Sequence, residues 1–247
     1  MSKKNYTHII AVIDRSGSMS NIRNDMESGF DAFVQEQKGV EGEATLTLAQ
    51  FDTNYEVVHS NVAIADVPHF NLHPRGSTAL LDAIGQTLTT ERDRINALDE
   101  NEQPEKIVCV IITDGEENSS HEYNRQRIFD MISDLEDEES PKWNFVFLGA
   151  NQDAISEGGN IGIRAASTMT YDASSVGTQA VFRSLSKNMT NYRTCASSSE
   201  AYSFSEEDRA EQEELLKKAN DKFGKAIPSY IRDLNTRSVC KTTTDQN

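Results

Sequence analysis

Cysteine is scarce in this chain of 247 residues, and its three copies lie far apart. Cys109, Cys195 and Cys240 are odd in number and form no C-x-x-C pair, so the pattern predicts reduced thiols rather than disulfides. Apolar residues flank Cys109 on both sides. That setting indicates a place in a strand core and not a reactive role.

Basic residues are also few, since 24 lysines and arginines stand against 40 acidic residues for a formal charge of −16. General binding to nucleic acid or to an anionic membrane needs a basic surface, so we expect neither partner. The same charge repels an acidic partner at long range. Screening within about 8–10 Å at physiological salt makes this mainly an effect on the association rate.

Long apolar runs are missing as well. Residues 1–6 lead into the first predicted strand without the apolar stretch of about 7–15 residues found in a secretory signal. No stretch approaches the roughly 20 apolar residues of a membrane span. We therefore expect a soluble, cytoplasmic protein.

What the chain does contain is a short apolar run, residues 9–13, that ends in an acid and two hydroxyls. A continuous apolar run of this length is typical of a strand covered on both faces of a parallel sheet. Asp14, Ser16 and Ser18 follow at alternate positions, at the end of the strand where ligands bind in open α/β sheets. Carboxylate and hydroxyl oxygens suit a small divalent cation such as Mg²⁺ better than zinc.

Two other segments have a similar form. Residues 107–112 make a second buried strand that ends in Thr113, Asp114 and Gly115. Between the two strands, a loop containing Gly76 delivers the hydroxyl of Thr78 just before an amphipathic helical pattern begins. The sequence thus predicts three polar clusters at one edge of a sheet.

Together the three motifs resemble the metal-ion-dependent adhesion site (MIDAS) of von Willebrand factor A (VWA) domains, over roughly residues 6–171. The matching segments are Asp14-Arg15-Ser16-Gly17-Ser18-Met19, Gly76-Ser77-Thr78-Ala79-Leu80 and Ile112-Thr113-Asp114-Gly115. Stand-alone VWA proteins of bacteria and their phages are similar in lacking a signal peptide. For them the resemblance implies assembly, stress or host-interaction roles.

The resemblance implies a set of metal ligands. Ser16, Ser18 and Thr78 would bind the metal directly, whereas Asp14 and Asp114 would act directly or through water. The cation would be Mg²⁺, or else Mn²⁺ or Ca²⁺, with one coordination position left open for a carboxylate from a protein partner. The alternative is that Asp14 and Asp114 only cap the helices that follow them.

The order of predicted elements indicates an α/β fold with six strands. Residues 44–52 and 55–60 are joined by a turn too short for a crossover, so one of these two strands runs antiparallel at the sheet edge. The resemblance implies a Rossmann-like, doubly wound three-layer sandwich whose mostly parallel six-stranded sheet has one antiparallel edge strand. We expect the helix after Thr78 to direct its N-terminal amides, and hence partial positive charge, toward the site.

The predicted domain covers residues 1–193, and residues 194–247 form a serine-rich linker, a polar helix and a tail. Ser205 is the expected N-cap of that helix. Three arrangements of this C-terminal segment are open: docking on its own domain, pairing with another copy, or holding a partner.

Several residues outside the motifs have two interpretations. Arg15 and Arg75 either line the rim of the site or are ordinary solvated arginines. Asn151 and Asp153 either support the metal site or, for Asp153, cap a helix. His69 and His73 form either a zinc pair or a solvated loop pair. The acidic end of the third predicted helix is either a solvated helix end or a calcium site. Its residues are Asp134, Glu136, Asp137, Glu138 and Glu139.

Metal-dependent binding of a protein partner is the leading functional hypothesis, and we do not expect an enzyme. A metal-assisted phosphohydrolase remains as an alternative, although it usually needs more carboxylates and a general base, for which His121 is the only histidine near the motif loops. The G-x-S-x-G and G-x-G-x-x-G motifs of serine hydrolases and dinucleotide-binding proteins are missing. A second alternative is a scaffold that self-assembles through its C-terminal segment. The oligomeric state is open.

Overall fold

A computed structural model describes residues 2–137, 141–150, 153–195 and 202–223. Its centre is a six-stranded sheet in the order β3-β2-β1-β4-β5-β6. All neighbouring strands are parallel except β2 and β3. The strands are β1 (Lys3–Asp14), β2 (Glu43–Phe51), β3 (Tyr55–Ala63), β4 (Pro104–Thr113), β5 (Lys142–Ala150) and β6 (Thr168–Tyr171). The predicted six-stranded sheet with one antiparallel edge strand is confirmed.

Helices cover both faces of this sheet. They are α1 (Arg23–Lys38), α2 (Leu80–Asn96), α3 (Arg125–Asp137), α4 (Ala154–Asn160), α5 (Ser175–Thr194) and α6 (Glu206–Phe223). Short 3₁₀ turns occupy Gly17–Asn21, Ile64–Asp66 and Ala165–Ser167. The first helix ends at Lys38 as predicted, but its first turn is a separate 3₁₀ turn, because the chain leaves helical geometry at Ile22.

The alternation of side chains along β1 divides the core between the two faces of the sheet. Ile9 and Ile13 belong to a cluster with residues of α1 and α5 on one face, and Ile10 and Val12 belong to a cluster with residues of α2 and α3 on the other. All four are fully buried. Burial of such a side chain contributes about 1.5–3 kcal/mol, so both faces stabilise the sheet. The expected three-layer sandwich is therefore present.

The first strand of the hairpin, β2, is present as predicted and is buried on both faces after its first residue. Its threonines face a buried polar cluster under α2, where Thr47 donates to Glu91 Oε1 (3.0 Å). His8 Nε2 and Arg94 also contact the Glu91 carboxylate, at 2.9 and 2.7 Å. Hydroxyl groups can be buried here because each finds a hydrogen-bond partner.

This cluster sets the protonation of its members. Burial lowers the pKa of His8, so the imidazole is neutral at neutral pH. Burial opposes ionisation of Glu91 too, but hydrogen bonds from His8 and Arg94 and the charge of Arg94 outweigh it and hold the Glu91 pKa at about 2. The folded state therefore contains a buried carboxylate paired with a permanently charged arginine.

Residues 202–223 dock on their own domain, which is one of the three arrangements considered above. Arg209 donates to the backbone carbonyls of Thr168, Ala165 and Ala166, next to the edge strand β6. Ser205 Oγ accepts from the backbone N–H of Asp208 at 3.2 Å, which confirms the expected N-cap. The proposed domain boundary at residue 193 stays a prediction, and residues 224–247 lie outside the described part of the chain.

Candidate metal centre

The first and third motif loops meet at the carboxyl ends of β1 and β4. Ser18 Oγ donates to Asp114 Oδ1 at 2.6 Å, and Ser16 Oγ lies 3.0 Å from Ser18 Oγ. Parallel pairing of the two strands places their last residues at the same edge of the sheet. A hydroxyl pair and a carboxylate from distant parts of the chain are thereby in direct contact.

The second loop completes the cluster at Gly115. A Cβ atom built on Gly115 would lie 3.0 Å from Thr78 Oγ1, 3.7 Å from Ser18 Oγ and 3.8 Å from Asp14 Oδ2. Oxygens from all three loops thus surround a small space that the missing glycine side chain leaves open. The three motifs converge as predicted, and the metal-binding role of their oxygens stays a prediction.

Asp14 is the most buried acid of the cluster, with no exposed surface. Its carboxylate accepts from the backbone N–H of Ser16 and from Thr113 Oγ1, both at 2.6 Å. Burial nevertheless outweighs these hydrogen bonds and, together with a smaller contribution from the nearby charge of Asp114, raises the Asp14 pKa to about 6. Burial also raises the pKa of Asp114. Two carboxylates in one place with raised pKa values are what a bound cation would stabilise in their charged forms.

Neither acid acts as a helix cap. The 3₁₀ turn after β1 has Ser16 as its N-cap, and the helix after β4 begins only at Arg125. Asp114 instead accepts from Ser18 in another loop. The capping alternative for Asp14 and Asp114 is therefore wrong, because their carboxylates are directed into the cluster.

Asn118 fixes the position of Thr78, and sequence reasoning missed this role. Its Oδ1 accepts from the Thr78 backbone N–H at 3.0 Å, and its own backbone N–H donates to the Thr78 carbonyl at 3.1 Å. On the other side of the loop, the Gly17 N–H donates to the Gly76 carbonyl at 3.2 Å. The Thr78 loop is thus held between the other two loops.

Arg15 matches neither of its two interpretations. It is 5% exposed, and it donates through Nε to Asp52 Oδ2 at 2.9 Å and through its terminal nitrogen to Glu56 at 2.5 Å. Arg75, whose side chain is 62% exposed, donates through Nε to the same Asp52 oxygen at 2.8 Å. Arg15 is thus a buried ion-paired residue, and Arg75 is an exposed one that is also paired.

Side chains of the segment after Gly115 bind two amides in the first turn of α2, which corrects the expectation that these amides are directed to the cluster. Leu81 N–H donates to Glu117 Oε2 at 2.9 Å, and Asp82 N–H donates to Ser120 Oγ at 3.0 Å. The anion at this helix end is therefore the chain's own Glu117. Asp82 in turn accepts from the backbone N–H groups of residues 121–123, so the segment after Gly115 is fastened onto α2.

The remaining candidates lie apart from the cluster. Asp153 caps α4 by accepting from the backbone N–H of Ser156 at 3.0 Å, and Asn151 lies outside the described residues.

His69 and His73 are exposed, and His69 pairs with Asp31. Across the described ranges, no three His, Cys, Asp or Glu side chains are placed to hold a metal, which gives no support to a zinc pair. Asp134 and Asp137 are exposed, and the predicted acidic partners at 138 and 139 are not among the described residues. Cys109 is fully buried in its strand, as predicted.

No family model and no curated protein matches this chain by sequence. Solved structures do match it. Proximal thread matrix protein 1 from the mussel byssus is 19% identical, with a TM-score of 0.54 over 75% of this chain and 46% of its own. The pilus adhesin SpaC from Lactobacillus rhamnosus GG is 14% identical, with a TM-score of 0.54 over 74% of this chain and 30% of its own. The vWF domain of the pilus tip protein Mfa5 from Porphyromonas gingivalis is 9% identical, with a TM-score of 0.50 over 77% of this chain and 97% of its own.

This chain has the VWA fold. Identities below 20% establish the fold alone, and the chain spans about half of the mussel protein, 46% of its length. In the mussel structure a MIDAS motif is occupied by zinc. Within the described ranges, none of the helices combines the length and apolar character needed to cross a membrane.

Proposed function

We propose that this VWA-fold protein binds a divalent cation at the oxygen cluster and uses it to hold an acidic group of a protein partner. Ser16, Ser18 and Thr78 would contact the cation, and Asp14 and Asp114 would act directly or through water. The observation that carries the proposal is the convergence of oxygens from three loops on the space beside Gly115.

The donor set fits a hard cation. Hydroxyl and carboxylate oxygens suit Mg²⁺, Mn²⁺ or Ca²⁺, whereas zinc prefers nitrogen and sulfur ligands. We propose Mg²⁺ first. A bound cation would neutralise the two carboxylates and offer a coordination position to a ligand oxygen from outside the chain. The zinc in the mussel MIDAS motif supports a divalent cation in general.

The oxygens of the cluster differ in exposure, and Asp114 and Gly115 are partly exposed. Asp14, Ser16 and Thr78 are at most 3% exposed, whereas Ser18 and Gly17 are exposed. A partner could therefore reach the cation between the first and third loops. Because the cation would supply the positive charge of the site, a carboxylate is the partner group that would bind there most favourably.

Binding fits the site better than catalysis. A two-metal phosphohydrolase needs several more carboxylates around its ions, and the clustering of Asp14 and Asp114 among hydroxyls supplies only two. The neighbours in structure include two pilus proteins and a matrix protein, which also supports an interaction role. A net charge of −16 makes nucleic acid and anionic membranes unsuitable partners.

The test is retention of host proteins on the immobilised full chain in Mg²⁺ and in EDTA, repeated with Asp14→Ala. Asp130→Ala is the matched control, because Asp130 is an exposed acid on α3 that accepts only from Gln126 within the described contacts. We expect at least one protein to be retained by the wild type and the control in Mg²⁺, and to be lost in EDTA and with Asp14→Ala. The same proteins in every condition would contradict the proposal.

A further inference from the structure

We propose that Asp52 is the positioning residue of this metal centre, because its carboxylate joins the first and second ligand loops into one unit. The inference rests on the proposed function for its metal. Asp52 follows β2, outside all three motifs, and nothing in the motif pattern assigns it a role.

Asp52 is 1% exposed, and each of its three oxygens accepts at least one hydrogen bond. Its Oδ2 accepts from Arg15 Nε at 2.9 Å and from Arg75 Nε at 2.8 Å. Its Oδ1 accepts from the Asn54 backbone N–H at 2.8 Å, and its backbone carbonyl accepts from the Ala79 N–H at 3.0 Å. One buried residue thus contacts both loops.

These contacts lie next to the ligand hydroxyls in sequence. Arg15 immediately precedes Ser16, and Ala79 immediately follows Thr78. A further hydrogen bond, from the Arg75 N–H to the Arg15 carbonyl at 2.8 Å, closes the connection between the two loops. Movement of Asp52 would therefore shift the backbone beside two of the three hydroxyl ligands together.

The second loop also lies directly on the turn that begins at Asp52. Gly76 has φ of +67°, and a Cβ there would lie 2.9 Å from Thr53 Oγ1 and 3.3 Å from the Asp52 Cβ. The Ser77 N–H donates to the same Thr53 hydroxyl at 3.1 Å. Close packing and hydrogen bonding leave this loop little freedom while the turn is in place.

The charge of Asp52 matters as well as its shape. Arg15 is buried, and Asp52 is the buried carboxylate that compensates it, whereas its other carboxylate partner, Glu56, is 55% exposed. Burial disfavours the Asp52 anion, but hydrogen bonds from Arg75, Asn54 and Arg15 outweigh it and keep the Asp52 pKa below its usual range. An amide at this position would keep the shape and lose the charge-assisted bonds, which are roughly twice as strong as neutral ones.

The test uses Mg²⁺ alone, with the affinity measured by calorimetry on the full chain. We expect Asp52→Asn to bind Mg²⁺ about 10- to 100-fold more weakly, the range typical of groups that orient metal ligands. Arg75→Ala removes only the exposed ion pair with Asp52 and should weaken Mg²⁺ binding by about two- to fivefold, as for an exposed charge pair. Arg183→Ala is the matched control, because Arg183 is 58% exposed and pairs with Glu211 on another face. It should bind like the wild type.

Amide hydrogen exchange in metal-free protein separates positioning from general stability. Asp52→Asn should speed exchange at Gly17 and Ala79 together while the amides of β4 and β5 stay protected, and Arg75→Ala should do so to a smaller extent. If Asp52→Asn does not fold, Arg75→Ala decides the question. Mg²⁺ affinity and exchange unchanged in the variants would overturn the inference. Failure of the wild type to bind any divalent cation would instead remove the proposed function.

Discussion

Replacing Gly115 by alanine is the sharpest perturbation of the proposed metal centre. Its Cβ would lie 3.0 Å from Thr78 Oγ1, so the hydroxyl must move by a few tenths of an ångström. The added methyl would also lie within 3.8 Å of both Ser18 Oγ and Asp14 Oδ2. Gly115 has a negative φ, so alanine adds no backbone strain. The substitution therefore acts on the oxygen cluster and not on the fold.

The expected magnitude follows from the geometry that Mg²⁺ demands. Its oxygen ligands lie at about 2.0–2.1 Å in near-ideal octahedral arrangement, so a shifted hydroxyl is poorly tolerated. We expect Gly115→Ala to bind Mg²⁺ at least about tenfold more weakly, a loss of about 1.4 kcal/mol. Calorimetric titration gives the affinity, and the thermal midpoint of metal-free protein should stay within about 2 °C of wild type.

Gly159→Ala is the matched control, because nothing lies within 4 Å of a Cβ at that position on α4. It should leave Mg²⁺ affinity unchanged and should stabilise the helix slightly. Wild-type affinity in Gly115→Ala would refute the placement of the cation beside Gly115. A loss of affinity in both glycine variants would refute the specificity of the effect.

Three further outcomes follow from the buried groups. Because the folded pKa of Glu91, about 2, lies below its ordinary value of 4.5, its contribution to stability is present above pH 4.5 and is lost as the pH falls from there towards 2. The lowered pKa of His8 likewise makes the free energy of unfolding fall as the pH drops below about 6.5. Glu91→Gln should flatten the acidic part of a plot of unfolding free energy against pH, measured by urea titrations at several pH values. Cys109, whose pKa burial raises, should be alkylated only in denaturant, as mapped by mass spectrometry. Gly29→Ala should destabilise the fold by about 1–3 kcal/mol in denaturant unfolding, because its Cβ would lie 2.3 Å from the Phe182 ring.

Local patterns were enough to predict most of the fold. The apolar runs that became β1 and β4 and the short turn after β2 predicted buried parallel strands and an antiparallel edge, and all three are present. The polar residues after those strands converge because parallel strands end at one edge of the sheet. The parallel direction of the strands was therefore enough to predict that these loops converge, without knowledge of any side-chain contact.

The groups that hold the site in place were not predictable in this way. Arg15 pairs with Asp52 across 37 positions, and Asn118 holds Thr78 across 40. No periodicity or motif links such pairs, since each contact exists only once the loops have met. The same holds for Glu117, which occupies the α2 N-terminus that sequence alone left free for an external anion. The sequence identified the oxygens that we propose as metal ligands, and only the fold showed what positions them.

Anomalous diffraction from crystals soaked in Mn²⁺ tests the central claim most directly. Mn²⁺ prefers the same oxygen ligands as Mg²⁺ and scatters anomalously. The account predicts one strong peak beside Gly115, within bonding distance of hydroxyl oxygens of Ser16, Ser18 and Thr78. A fully soaked crystal with no peak there, or with its strongest peak at another acidic surface, would contradict it.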